Sequence, residues 1–377
     1  MRRIVLLAGA IVLVDTLFFA ALTPLLPHYA HRLNLGKGGA GLLAAAYPLG
    51  ALVGAIPSGI VAARLGVKPT VLVGMTVVAV TTAAFGFGHV AWQLDLARFC
   101  QGLASAFSWT GALTWLVATA PRERRGALIG QAFAFAVVGA LLGPVLGGVA
   151  SLAGTRLTFG AVAAASLGLA AVAAASPAAR PDRPQPLSTL VRAFEDRRVL
   201  LAVWLVVLPA LLFGTLGVLA PLRLAALGFG AVGIGGVWLV AGSLEAGNNL
   251  LIGRASDRYG PLVPVLAGLA ATVGAAALLP WPHERFALAV AVVLAGLAFG
   301  TFYTPGMTML THVAEERGLE YGYAFAVVNL AWAPGQSCGS AVGGAVAQAT
   351  ADAVPYLTLA GIALLTLAGL WRSRSSW

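Results

Sequence analysis

Asp15, Arg98 and Glu245 each interrupt a long apolar stretch, where ionisable residues are rarest. On a helix, residues three, four and seven positions apart share a face. On that spacing Glu245 is joined by Asn248 and Asn249, Asp15 by Phe18 and Phe19, and Arg98 by Gln101, Ser105 and Trp109. Apolar surroundings favour an uncharged carboxyl, which suits a carrier of protons near neutral pH. An acid beside aromatic faces also suits a cationic or lipophilic ligand. A lone guanidinium can neutralise an acid, Asp15 for instance, or an anionic ligand. Each residue has a plainer alternative. Glu245 would be a structural acid capped by its asparagines, Asp15 would pair with a neighbouring helix, and Arg98 would reach outward to water.

Weaker candidates follow the same spacing. Asn329, Trp332 and Gln336 form one stripe, Tyr303 and Thr304 precede Pro305, and Gln131 stands alone. Each alone is more often an interhelical hydrogen bond than a ligand contact. Other chemistries lack their residues. The five histidines (His28, His31, His89, His283 and His312) show no metal-ligand spacing and read as solvated, and Cys100 and Cys338 read as small packing residues. No phosphate-cradling G-x-x-x-x-G-K-[ST] loop occurs, nor a paired nucleophile and base. No cofactor, metal or enzymatic activity is expected.

The elements that hold these residues follow from composition. Of 377 residues, 59% are hydrophobic and 10% charged, against about 25% charged in soluble domains. A chain this apolar belongs in a lipid bilayer. Barrel strands would alternate over about ten residues, whereas the apolar runs here are continuous and rich in Ala, Leu, Val and Gly. The expected fold is therefore all-α. Apolar windows place twelve spans at about 4–27, 39–62, 70–90, 93–118, 127–150, 157–176, 199–221, 228–252, 261–281, 286–310, 322–348 and 354–371. The polar segment from Pro177 to Arg198, with Pro181, Pro184 and Pro186, reads as a linker between six-helix halves 1–176 and 199–377.

Alternate loops differ sharply in Lys and Arg, with 17 on one side and five on the other. Positive loops stay cytoplasmic, so both termini and the linker are expected there. The formal charge of +10 is then topology rather than nucleic-acid binding. The halves also repeat. Gly59-x-x-x-Ala63-Arg64-x-Gly66 returns as Gly253-x-x-x-Asp257-Arg258-x-Gly260 at an offset of 194, and Gly139, Gly143 and Gly147 return as Gly335, Gly339 and Gly343 at 196. Gly102 returns as Gly296. Matches at nearly one offset argue for internal duplication, and such repeats hold ligands near the bilayer midplane between them.

These motifs resemble the major facilitator superfamily over essentially the whole chain. Gly59, Arg64, Gly66 and Lys68, with the fuller copy Gly253, Asp257, Arg258 and Gly260, resemble its G-x-x-x-D-R-x-G-R-K loop. Arg98-x-x-Gln101-Gly102 resembles its fourth-helix R-x-x-Q-G. Gly130, Gly139, Gly143, Pro144 and Gly147 are spaced as in the antiporter motif of its twelve-helix drug and proton exporters. Position 63 is Ala where the family has Asp, and position 67 is Val where it usually has Arg. The gating contact of that first-half acid is thus lost, and the role passes to Asp257, pairing with Arg122, Arg124 or Arg125.

The resemblance implies two six-helix bundles that alternate access, and a monomeric, multi-pass transporter of the cell membrane. It implies export of a small organic molecule in exchange for protons, with Glu245 and Asp15 as the protonatable pair. Arg98, Gln101, Trp109, Asn248, Asn249, Tyr303, Asn329, Trp332 and Gln336 would line the cavity. The glycine row with Pro144 would form a kinked helix sealing the path between the halves. An importer on the same fold and a non-transporting receptor are the alternatives.

Overall fold

The computed structural model describes residues 2–121, 124–179, 194–316 and 321–372, with backbone alone for 311–315 and 321–326. The described residues form twelve helices: α1 Arg2–Arg32, α2 Lys37–Leu65, α3 Val67–Phe87, α4 Ala91–Thr119, α5 Arg125–Ala153, α6 Thr155–Ala175, α7 Arg197–Ala226, α8 Ala231–Tyr259, α9 Leu262–Leu278, α10 Arg285–Glu316, α11 Tyr321–Ala349 and α12 Ala353–Arg372. Most run past the apolar windows at one or both ends. Polar residues outside the hydrocarbon remain helical, so α1 continues to Arg32 and α8 to Tyr259. α8 begins later than the apolar pattern indicates, because Gly228 adopts φ +93° and Gly230 is the N-cap. Most of the linker, 180–193, and Arg122 of the expected gate lie outside the described residues.

Short connections force neighbouring helices to run antiparallel. Gly66 alone joins α2 to α3, and Gly260 with Pro261 joins α8 to α9. Their φ values of +96° and +81° lie where a side chain is strained, which accounts for glycine at the same place in both halves. The described ends, Arg2 and Arg372, share one face of the bundle, here the terminal face; the opposite one is the far face.

Packing follows the small residues, since lipid supplies no hydrophobic drive between helices. A methyl group at Gly139 would meet the Leu13 carbonyl oxygen at 2.5 Å, and one at Gly143 the Leu17 carbonyl oxygen at 2.7 Å. α5 therefore lies flush on α1. In the second half Gly335 faces Val207 and Gly339 faces Leu211, setting α11 on α7 in the same way. Gly50 and Gly102 bring α2 and α4 to backbone contact through Phe99 and Tyr47. Outward, side chains such as Leu157 and Leu365 are 70% and 74% exposed, as a lipid-facing surface requires. Eight of the helices are long and apolar enough to cross a membrane. The polar stripes sit on α4, α8 and α11, which are outside that set.

The halves meet toward the far face. There α2 packs on α11 through Gly41 against Ser340 and Gly344 against Lys37. Lys37 Nζ bonds Asp352 Oδ1 at 2.5 Å, and the Gly38 amide donates to Gln348 Oε1 at 2.8 Å. α5 meets α8 where Gly235 faces the Pro144 carbonyl and Gly148 faces Val232. Toward the terminal face Gly59, Gly130 and Gly253 have no neighbour within 4 Å of where a Cβ would lie. These contacts between the halves all lie toward the far face.

Candidate functional site

The polar centre of the first half is built by three helices. The i, i+7, i+11 stripe of α4 brings Arg98, Ser105 and Trp109 toward α1, and the close α2–α4 crossing adds Tyr47. Asp15 is 3% exposed. Its Oδ2 accepts hydrogen bonds from Tyr47 Oη at 2.8 Å, Ser105 Oγ at 2.7 Å and Trp109 Nε1 at 2.8 Å. Trp109 can only donate, so this arrangement uses the acid as an acceptor. Three donors on one oxygen suit a carboxylate.

Arg98 is 1% exposed. It neither snorkels outward nor forms an ion pair with Asp15. Its Nη2 donates to the Phe19 carbonyl at 3.4 Å, while Nε and Nη1 have no hydrogen-bonding partner among the described residues. Aromatic faces surround it instead: the guanidinium carbon lies 4.9 Å from the ring centre of Tyr47, 5.5 Å from Phe18, 5.9 Å from Phe19 and 6.0 Å from Phe85. Such cation–π contacts are each worth about 0.5–2 kcal/mol. Gln101 is equally buried, and its amide has no partner.

The second half is organised differently. Glu245 packs against α10 at Gly300, where a methyl group would meet its Oε1 at 2.6 Å. It has no hydrogen bond among the described residues. Its neighbours Asn248 and Asn249 do not cap it. Asn248 Nδ2 donates to Thr301 Oγ1 at 3.0 Å, and Asn249 Oδ1 accepts from Thr304 Oγ1 at 2.9 Å, so the pair ties α8 to α10. Tyr303 lies within electrostatic range of Glu245. On α11, Trp332 meets Phe19 edge-on at 5.6 Å across the halves, and Gln336 shares a small cavity with Arg98. Asn329 is half-buried on the same stripe.

Sequence spacing did not find Tyr47, Thr301 or Ser340. A lone tyrosine among the small residues of α2 was the available signal for the first. A cavity of about 500 Å³ at the far face was missed as well, where His28, His31 and Arg32 line space between the halves. Of the loop residues, Lys68 Nζ donates to the Ser176 carbonyl at 3.0 Å and so ties α3 to the end of α6. Arg64 is exposed, and Arg258 covers the Tyr259 ring at 5.2 Å. Asp257 is exposed and makes no ion pair among the described residues in this conformation. The glycine row of α5 faces α1 within its own half. Contacts with the other half come from Leu141, Pro144 and Gly148 of the same helix. Cys338 is exposed and Cys100 half-buried, both as free thiols.

The family model described as Major Facilitator Superfamily matches residues 8–336 and 249–376. The chloramphenicol resistance protein of Streptomyces lividans is 31% identical over 346 residues, covering 88% of this chain and 86% of that protein. The quinolone resistance protein NorA of Staphylococcus aureus is 28% identical over 136 residues, 36% of this chain and 35% of that one. The xylose transporter XylE from E. coli, in a partially occluded inward open conformation, has a TM-score of 0.77 at 13% identity, covering 98% of this chain and 97% of that one. Nucleoside transporter NupG has a TM-score of 0.75 at 16% identity, covering 98% of each chain. At these identities the two structures share the fold with this chain.

Proposed function

The chain belongs to the major facilitator superfamily, and on that footing we propose that it exports a small organic molecule in exchange for protons. It is a multi-pass membrane transporter rather than an enzyme. The observation that carries the proposal is one carboxyl inside each half: Asp15 held by three donors, and Glu245 without a hydrogen bond among the described residues. The drug-resistance relatives support export.

The mechanism follows from hydrogen-bond strength. Bonds to a carboxylate are roughly twice as strong as neutral ones. Protonating Asp15 therefore relaxes the tie among α1, α2 and α4, and deprotonation restores it. Glu245 takes and releases its proton beside α10, where it has no competing donor. Proton binding on the two acids thus alters the packing of helices inside each half, and an exchanging substrate binds between the halves when the protons leave. With the positive loops in the cytoplasm, the terminal face is cytoplasmic, and an exported compound loads from that side when the halves part there.

Proteoliposomes with an imposed pH gradient test this reading. A panel of aromatic amphiphiles, chloramphenicol first, is expected to include a compound driven against its own gradient by opposing proton flow. That movement should stop when a protonophore collapses the gradient. Flux indifferent to the protonophore would exclude proton exchange, and flux along the proton gradient would make the protein an importer.

A further inference from the structure

Between the halves, next to the aromatic cage, lies a cavity of about 40 Å³ bordered by Arg98 and Thr23 from the first half and by Gln336 and Ser340 from the second. The guanidinium has five N–H donors, yet Nε and Nη1 have no hydrogen-bond partner among the described residues. No acid borders the cavity among the described residues. Asp15, the acid whose charge acts on Arg98, is already engaged by Tyr47, Ser105 and Trp109. A guanidinium held this deep with donors unmet is expensive. Fixed donors of one sign on a small cavity make an anion site.

Size selects the ligand. Organic ligands occupy about 300–1,000 Å³, many times this cavity, whereas a single water or monatomic ion needs only about 10–30 Å³. We propose that Arg98, Thr23, Gln336 and Ser340 form a binding site for one small inorganic anion of chloride size. The amide of Gln336 and the hydroxyl of Thr23 complete the donor set, joined by the Ser340 hydroxyl when it turns from the Gly214 carbonyl, to which it donates at 3.3 Å. Because its ligands come from both halves, the bound anion bridges them and favours the conformation closed at the far face. Halide binding there does not require that protons be exchanged.

The test uses the purified full-length protein in detergent. Its thermal unfolding is followed while sodium chloride or sodium bromide replaces sodium gluconate at constant ionic strength. A saturable rise in Tm is expected with both halides, against none in gluconate. In the Gln336→Ala/Ser340→Ala double variant the half-saturating halide concentration should rise about tenfold or more, the effect of losing hydrogen bonds to an anion. These truncations leave Arg98 in place, so the test stands even where Arg98→Gln fails to fold. Crystals grown in bromide should show its anomalous signal beside Arg98 and Ser340. No halide-specific rise, an equal response in the double variant, or bromide bound elsewhere alone would overturn the assignment.

Discussion

The Asp15 cluster concentrates several kinds of donor on one buried oxygen, and each can be removed separately. Trp109→Phe keeps an aromatic ring and deletes a donor, so it should destabilise the protein by about 1–3 kcal/mol, read as a lowered Tm in detergent. Tyr47→Phe should cost a similar amount while leaving the ring on Arg98. Asp15→Asn retains an acceptor oxygen and should cost less than Asp15→Leu, which strands all three donors. Equal Tm values for Asp15→Asn and Asp15→Leu would show that those hydrogen bonds contribute little. Asp15, Arg98 and Glu245 were legible in the sequence because a charge in an apolar run is conspicuous. Their partners were not. Spacing defines the face of one helix, but not which helix meets it or at what rotation. Tyr47 is 32 positions from Asp15, and Ser105 is 90 away. Asn248 and Asn249 show the same limit, since they share the face of Glu245 yet bond to Thr301 and Thr304.

Among the elements, α5 offers the clearest contrast. Gly143 faces the α1 backbone, so Gly143→Val must push two helices apart and should cost about 1–3 kcal/mol. Gly130, from the same motif, has no neighbour within 4 Å of a Cβ, so Gly130→Ala should leave Tm unchanged. A transport defect in Gly130→Ala with wild-type Tm would place its contact in another conformation. Helix number and order were readable from the apolar windows and the repeated glycines, because both reflect the bilayer and backbone contact directly. Helix ends were less so, since hydropathy marks where lipid stops and not where the helix does. The partner of the glycine row was also hidden in the sequence. Packing on α1 and packing between the halves need the same spacing.

For the whole molecule, the contacts that join the halves among the described residues gather toward the far face. The Lys37–Asp352 pair is partly exposed, and such pairs contribute about 0–1 kcal/mol. Lys37→Ala should therefore raise the population closed at the terminal face by no more than about fivefold. Spin labels at Gly59→Cys and Gly253→Cys, with the native cysteines replaced, would read it as a gain in the shorter distance. Asp257→Lys should move the same distribution the other way and lower transport if Asp257 closes that face against Arg124 or Arg125; an unchanged distribution and unchanged transport would end its gating role. The most direct test of proton-coupled export is Glu245→Gln in proteoliposomes, using the compound that the wild type moves fastest. Gradient-driven efflux should be lost while counterflow exchange of labelled for unlabelled compound partly survives, because substrate still binds and the halves still rock. Gradient-driven efflux at the wild-type rate in Glu245→Gln would contradict the account.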